Sequence, residues 1–455
     1  MVKAELADYS SVSGCIIFRP ASYQLWEKIK QSCDNEFKKI GLKNCYFPLF
    51  IPQKSFEKEQ EHVEGFAPEV AWVTHSGNTK LNEKLAIRPT SESIMYESYA
   101  KWIRSWRDLP LLLNQWNNVV RWEFNNPVPF FRTREFLWNE IHTAFANEKE
   151  CLEHGKKVIK AYNKVTEDLM ALPGIYGRKT DYEKFAGAEF TEKTHHYLPN
   201  GRIIEGTCFH YDGQNFARAY GIKFLNRNEN EEYVYQNTHA ISTRMLGTMF
   251  AVHSDNKGLV IPPKMAENKL VIIPILIKGK ESKVKSHAKK ISKELNRFNP
   301  ILDEREEYSP GWKFSEWELK GIPIRIEIGP KDLEKNSVTL AKRNTGEKIQ
   351  IKIKDLKKEI PKILDEIQKE LYKAAEKDLK GCMKKTTDKK ELIKLIKDKK
   401  MVKVPLCNSK EAEEELKSEI GGAKTLFIDA EKIKGERCII TGNKADYWVY
   451  VGRTY

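Results

Sequence analysis

Apolar residues recur every three or four positions between Ala21 and Ile40, where Trp26, Ile29, Cys33, Phe37 and Ile40 share one side and lysines and acids the other. That spacing predicts an amphipathic helix lying on a core. A strand is expected next, over Asn44 to Ile51. Two more, Phe66 to Thr74 and Lys84 to Arg88, flank a polar turn at Ser76 to Thr79. After Thr90 and Ser91 a helix is expected through Tyr96 and Trp102. The period then changes. Alternating apolar residues from Val119 to Phe124 and from Glu135 to Ile141 predict an antiparallel pair, and Pro127 and Pro129 between them suit an irregular loop and exclude helix. Val158, Tyr162, Val165 and Leu169 return to helical spacing within Cys151 to Leu172.

After Pro262 and Pro263 the organisation differs. LVIIPILI is a continuous apolar run suited to a buried parallel strand, followed by a lysine-rich helix, Lys283 to Phe298, and a second buried strand, Pro323 to Ile328. Strands alternating with helices imply a small α/β domain. From Glu370 the chain reads as lysine-rich helix and then a small β unit ending in DYWVYVGRTY. The divisions expected are 1–265, 266–369 and 370–455, in an α+β protein.

A chain of 455 residues supports two or three domains with substantial cores. Its 78 Lys+Arg against 64 Asp+Glu give a formal net charge of +14, which favours polyanions and makes nucleic acid the expected partner. No apolar run reaches the roughly 18 residues of a membrane span, and the N-terminus lacks the apolar core of a signal peptide. A soluble, cytoplasmic protein without a membrane partner is expected. Eight cysteines without regular spacing point to reduced thiols.

The expected hairpin carries Arg121, Arg132 and Arg134 to one end. Three neighbouring guanidiniums call for an anion, and phosphate matches their forked donors better than a carboxylate. Surface ion pairs with Glu123 and Glu135 are the plainer alternative. Thr90 and Ser91 have an equally plain reading as a helix N-cap, with Glu92 set against the helix dipole. Trp312, Phe314 and Trp317, interspersed with basic residues, suit a single-stranded RNA loop, where bases stack and phosphates attract lysine; the alternative is that the tryptophans are core.

Four stretches together carry a resemblance: IGLKNCYFPLFIP at Ile40 to Pro52, RPTSE at Arg88 to Glu92, the hairpin NVVRWEFNNPVPFFRTREFLWNEIHTAF, and QNTHAISTR at Gln236 to Arg244. They are similar to the signatures of class II aminoacyl-tRNA synthetases of the prolyl, archaeal and eukaryotic type. The segment from SPGWKF to NTGEK closely resembles the anticodon-binding domain of that family. The resemblance implies a catalytic domain built on an antiparallel sheet, an α/β anticodon-binding domain and a small C-terminal α+β domain. It implies ATP, magnesium arriving with the nucleotide, proline, a proline-accepting tRNA, and a homodimer built on the first signature.

The reaction so implied joins an amino-acid carboxylate to the α-phosphate of ATP and passes the acyl group to tRNA, by orientation and charge stabilisation without a protein nucleophile. By resemblance Arg121 and Arg244 are the catalytic pair, with Arg121 bridging the carboxylate and the α-phosphate. Arg132 and Arg244 hold the outer phosphates; Glu123, Glu205 and Ser242 complete the ATP site. Thr90, Glu92, Arg121, Phe136, Trp138 and His210 surround proline, with Glu92 receiving the cationic ring nitrogen. Tyr455 resembles the family's C-terminal tyrosine. The last domain often binds zinc there through two cysteine pairs; here Cys407 and Cys438 remain while Ala412, Ile440 and Thr441 stand near the other positions, so no structural zinc is expected. The interval Ala146 to Val234 is too short for an editing domain. The chain departs from the family at Ile141, at Thr238, His239 and Ala240, and at Glu205, Cys208 and Phe209. Ile141 is expected to crowd the amino-acid pocket, and with His239 and Ala240 it motivates a second reading, a paralogue activating a different small or cyclic amino acid; a reading of another class is a non-catalytic tRNA-binding or regulatory protein descended from a synthetase.

Overall fold

Helix Pro20–Lys39 buries Leu25, Trp26, Ile29, Cys33 and Phe37, the stripe expected from the sequence. The computed structural model describes residues 1–55, 69–123 and 126–455. The helix lies with Glu148–Lys164 and Arg244–His253 in one hydrophobic cluster on one face of a large sheet. Helices Glu92–Trp102 and Asn215–Tyr220 cover the other face through a second cluster.

Near one edge of that sheet lies the expected hairpin, longer and earlier than its sequence pattern suggested. Strand Leu111–Val120 pairs antiparallel with Glu135–Phe145, from Leu111 opposite Ala144 to Val120 opposite Glu135. It ends at Val120; Phe124, where the alternation pointed, is outside the described residues. Past Val120 the backbone turns away, and the Trp122 N–H donates to the Glu69 carbonyl at 2.9 Å. Strands Tyr235–Ser242, Arg202–Gly213, Phe190–Tyr197 and Ile175–Arg178 continue the antiparallel order outward.

The strand expected over Asn44 to Ile51 is broken. Only Lys43–Asn44 and Phe50–Pro52 pair, while the amides between them turn to other partners: Cys45 N–H donates to the Asn114 carbonyl and Phe47 N–H to the Gln115 side chain. Pro48, with no N–H, cannot continue a ladder. Of the strand expected over Phe66 to Thr74, residues 66–68 fall outside the described set, and the observed strand is Trp72–Ser76, paired with Thr79–Ile87.

The next region is a five-stranded sheet of its own. Ile301–Leu302, Leu270–Pro274 and Ile324–Ile328 run parallel, and Ser337–Lys342 and Lys348–Lys352 extend it antiparallel. Leu270–Pro274 and Ile324–Ile328 are fully buried, as continuous apolar runs require. On its flank Trp317 donates its indole N–H to Asp303 at 2.9 Å and is a fixed part of the fold. Trp312 is exposed and stacks on Tyr308 at 3.8 Å between ring centroids.

Helix Leu356–Cys382 runs without a break through the division expected at 369 and 370, with Pro361 in its first two turns. The strands that follow extend the large sheet: Tyr447–Thr454 pairs with Met401–Leu406 and Lys424–Ile428, Ile428 bridges Arg178, and Arg453 lies parallel beside Arg202. Gly177 permits this junction, because a Cβ there would lie 2.6 Å from the Phe427 ring. The Tyr455 ring stacks on Phe131 at 5.0 Å and 3°.

Candidate active site

A cavity of about 380 Å³ opens over the face of the sheet covered by helix Glu92–Trp102. Strand alternation selects its floor. Along Glu135–Phe145, the side chains of Phe136, Trp138, Glu140 and His142 all face it. Of the residues expected from the sequence, Thr90, Glu92, Arg121, Phe136, Trp138 and His210 line it. So do Glu205, Ser242 and Arg244.

One end is acidic and closely bonded. Ser91 gives Glu140 two hydrogen bonds, from its N–H at 2.9 Å and its hydroxyl at 2.7 Å, and Asn117 Nδ2 adds a third at 2.7 Å. The Ser91 hydroxyl therefore does not cap the helix it precedes, and no side-chain cap bond is present there. Thr90 Oγ1 donates to Glu92. His142 Nε2 lies 3.3 Å from Glu140, and its Nδ1 is 3.2 Å from the Tyr96 hydroxyl.

Burial pushes the Glu140 carboxyl up, but the bond and charge of His142 and the donors of Asn117 and Ser91 outweigh it and hold it below its ordinary range. Burial lowers His142, and the two glutamates overcome this and raise it. For Glu92, burial and the Glu140 charge raise the carboxyl against His142 and Thr90. Glu92, Glu140 and His142 bring ligand atoms within 4.8 Å of one another. Glu140 is engaged by three donors from Ser91 and Asn117, whereas among the described residues the Glu92 carboxylate accepts from the Thr90 hydroxyl and its own backbone N–H, which leaves it more capacity for a cation.

The other end is cationic. Arg121 packs its guanidinium over Phe136 at 5.6 Å and Trp138 at 5.3 Å, with Nε donating to the Pro89 carbonyl at 3.1 Å. Arg244 opens its helix and donates through Nε to the Phe131 carbonyl at 3.3 Å. Gly247 lets that helix close onto the hairpin loop, since a Cβ there would sit 2.8 Å from Phe130. Burial lowers the Arg244 pKa; Glu205 offsets this, and the charges of Arg121 and Arg132 lower it further. Among the described residues neither Arg121 nor Arg244 makes an ion pair within 4.0 Å, so Glu123 and Glu135 do not absorb them. Arg88 is instead a clip. It is 1% exposed and donates to the carbonyls of Phe47 at 2.7 Å and Asn118 at 2.9 Å, tying the Thr90 turn to the hairpin.

Several expected residues sit elsewhere. Glu123 is exposed and Arg132 does not line the cavity, because the strand that would have kept them in register with Arg121 stops at Val120. Arg134 does not join the cluster: it lies over Trp122 at 4.4 Å and donates to the Ser13 carbonyl. Glu205 is in place, but its oxygens accept from Lys179 at 2.8 Å and Lys193 at 2.7 Å. His210 Nδ1 is 2.8 Å from the Thr191 hydroxyl, and burial with the Lys193 charge pushes its pKa down to about 3, so the ring is neutral.

Ile141 reverses an expectation. It is completely buried in the cluster on the opposite face, between the pocket-facing Glu140 and His142, and does not line the cavity. Phe209 belongs to that same cluster and stacks on His239 at 4.8 Å and 9°. Cys208, Thr238, His239 and Ala240 do line the cavity. Glu140 and His142 were missed as site residues although their period of two with Phe136 and Trp138 was present in the sequence. Lys193 and Lys424 were visible only through the pairing of distant strands.

Three segments match known family models: tRNA synthetase class II core domain (G, H, P, S and T) over residues 72–253, anticodon binding domain over 269–363, and prolyl-tRNA synthetase, C-terminal, over 389–455. The cytoplasmic proline–tRNA ligase of Arabidopsis thaliana is 44% identical over 464 residues, covering 100% of this chain and 88% of the relative. The proline–tRNA ligase of Natranaerobius thermophilus is 42% identical over 457 residues, covering 100% and 94%. The bifunctional glutamate/proline–tRNA ligase of Mus musculus is 42% identical over 483 residues, and there the chain spans 32% of the relative. With a cavity acidic at one end and cationic at the other and these relationships along its full length, the chain belongs to the prolyl-tRNA synthetase family of class II aminoacyl-tRNA synthetases.

Proposed function

We propose that the chain condenses proline with ATP to prolyl-adenylate and transfers the prolyl group to tRNA. The observation that carries this is a pair of guanidiniums without acid partners facing a buried carboxylate across one cavity. Glu92 and Thr90 take the ring nitrogen, which enters protonated. Phe136 and Trp138 form apolar walls, and neutral His210 offers a hydrogen-bonding nitrogen without adding charge. Arg121 lies against both walls, where it bridges the proline carboxylate and the α-phosphate and offsets the repulsion that otherwise keeps two anions apart. Arg244, with Arg132 beside it, holds the outer phosphates, and Ser242 and the Lys-held Glu205 face the nucleotide.

Glu205 has both oxygens taken by lysines, which leaves the exposed Glu123 as the carboxylate suited to a nucleotide-borne magnesium ion. Bound there, magnesium neutralises phosphate charge. Structural zinc is not proposed, because the sulfurs of Cys407 and Cys438 neighbour one another and Thr441, two thiols where a closed site needs about four ligands. The exposed Tyr308–Trp312 stack with Arg305 over both rings suits a single-stranded RNA loop, here the anticodon loop of a proline-accepting tRNA. The regions 1–265, 266–369 and 370–455 then serve catalysis, tRNA binding and support of the active site. Exposed Phe50 and Trp72 on one small sheet, with exposed Tyr46 in the segment before it, support a homodimer. Eight free cysteines support a cytoplasmic location, and among the described residues no helix is long and apolar enough to cross a membrane.

The burial of Ile141 away from the cavity favours proline over a different amino acid. ATP–pyrophosphate exchange across all amino acids tests this: proline alone should stimulate strongly, and no response to proline would overturn the reading. A pH dependence follows from Glu92. Its raised pKa means that ionisation costs the ligand-free protein stability, a contribution present below the unfolded value and lost as pH rises through the folded one. Proline needs the ionised form. The KM for proline should therefore climb as pH falls through the raised pKa, approaching about tenfold per pH unit, with kcat changing less. A KM that stays flat as pH falls from neutrality to the ordinary carboxylate value of about 4.5 would remove Glu92 from the nitrogen site.

A further inference from the structure

We propose that Cys407 and Cys438 are a modification site, a thiol pair that a small hydroperoxide closes to an intramolecular disulfide. Cys407 follows strand Met401–Leu406, and Cys438 opens a tight turn in which its N–H donates to the Asn443 carbonyl at 2.7 Å and Gly442 N–H returns to the Cys438 carbonyl at 2.9 Å. The two segments are tied side by side, Ile439 N–H to the Pro405 carbonyl at 2.9 Å and Asp446 N–H to the Leu406 carbonyl at 3.0 Å. Between them the Cys407 thiol donates to the Cys438 sulfur at 3.4 Å. A disulfide requires about 2.05 Å between sulfurs, a distance side-chain rotation on these anchored segments covers.

The surroundings assign the roles. Thr441 N–H lies 3.5 Å from the Cys438 sulfur. Burial pushes the Cys438 thiol up, but the Thr441 hydroxyl and the amides of Thr441, Cys407 and Ile440 outweigh it, and the net shift is downward. Cys407 is pushed up and keeps the shared proton. The remaining cysteines, Cys15, Cys33, Cys45, Cys151, Cys208 and Cys382, are all pushed up by burial. Cys407 is half-buried while Cys438 is 3% exposed, so the oxidant must be small.

The chemistry balances with hydrogen peroxide. The Cys438 thiolate attacks one peroxide oxygen; an S–O bond forms, the O–O bond breaks, and the departing hydroxide takes the Cys407 proton to leave as water. The Cys407 thiolate then attacks the sulfenic sulfur; S–S forms, S–O breaks, and the hydroxide released takes up a proton as a second water. Two thiols are oxidised and one peroxide is reduced. Neither sulfur lines the cavity, and the staple ties together the module whose last strand lies beside Arg202 and whose Tyr455 stacks on Phe131.

The test treats the reduced full-length chain with one equivalent of hydrogen peroxide, alkylates the remaining thiols, and maps peptides without reduction. Expected are a peptide joining residues 407 and 438, a mass lower by two hydrogens, reversal by dithiothreitol, a higher melting temperature and unchanged pyrophosphate exchange. In Cys407→Ser, one equivalent should instead leave Cys438 with a single added oxygen, a sulfenic acid that dimedone traps, with no cross-link. Alkylation of both thiols while another cysteine oxidises would overturn the proposal, as would one equivalent of zinc held by these sulfurs in the purified chain.

Discussion

Arg121→Ala should lower proline-dependent ATP–pyrophosphate exchange by about 10²- to 10³-fold, while the melting temperature of the ligand-free protein stays level or rises. Both halves follow from the same geometry. The guanidinium makes one hydrogen bond, to the Pro89 carbonyl, and otherwise rests on the faces of Phe136 and Trp138. Its charge acts against that of Arg244, whose own pKa it helps to lower. In the absence of an anion it opposes folding, and with a triphosphate present it becomes an attraction. A residue held for structural reasons shows the reverse pattern, stability lost with activity. Arg121→Lys should recover little, because an ammonium lacks the forked donors and the flat face that stacks on the two rings. Affinity for tRNA should be nearly unchanged in both variants, since the exposed aromatic stack lies at the start of helix Pro310–Lys320, outside the cavity. A melting temperature several degrees lower, or exchange within a few-fold of the parent, would remove Arg121 from the bridging role.

The sequence carried this end of the site because arginine is conspicuous and its spacing follows signatures that can be read directly. It carried the acid end only in part. Glu92 and Thr90 were legible, but the plain reading of Ser91 as a helix cap was wrong, since its hydroxyl turns to Glu140 across the sheet. The alternation that exposes Phe136 and Trp138 to the cavity also selects Glu140 and His142, and places Ile141 in the core. Reading the strand's period through to its end would have found two site residues and withdrawn the idea of a crowded pocket. Arg134 was misplaced for a related reason: one-dimensional spacing does not reveal that its side chain turns over Trp122 and to the Ser13 carbonyl. The breaks in the first signature, where Phe47 N–H turns to the Gln115 side chain, depend on a contact between residues far apart in the chain. Lys193 against Glu205 and the C-terminal strands at the sheet edge depend on pairings of the same kind.

Glu140→Gln is expected to cost about 3 to 5 kcal/mol of stability and to raise the KM for proline more than it lowers kcat. Glu140 touches no substrate in the proposed arrangement and acts through Ser91, Asn117 and His142. An amide keeps one acceptor oxygen, yet its NH2 group faces donors that need an acceptor, and a raised His142 loses its buried counterion. The turn carrying Thr90 and Glu92 is anchored by the two Ser91 bonds, so loosening it displaces the nitrogen site first. The pH signature separates this from a general loss of packing. A carboxyl held below its ordinary value contributes stability above the unfolded pKa and loses it as pH falls through the folded one. The parent protein should therefore lose part of its stability on acidification below about pH 4.5, and Glu140→Gln should show a smaller loss over the same range. Ser91→Ala removes one donor and should couple to Glu140→Gln by about 1 kcal/mol or more in a double-mutant cycle. Additive effects, with KM for proline unchanged, would reduce Glu140 to an ordinary buried polar group and leave Glu92 positioned by its helix alone.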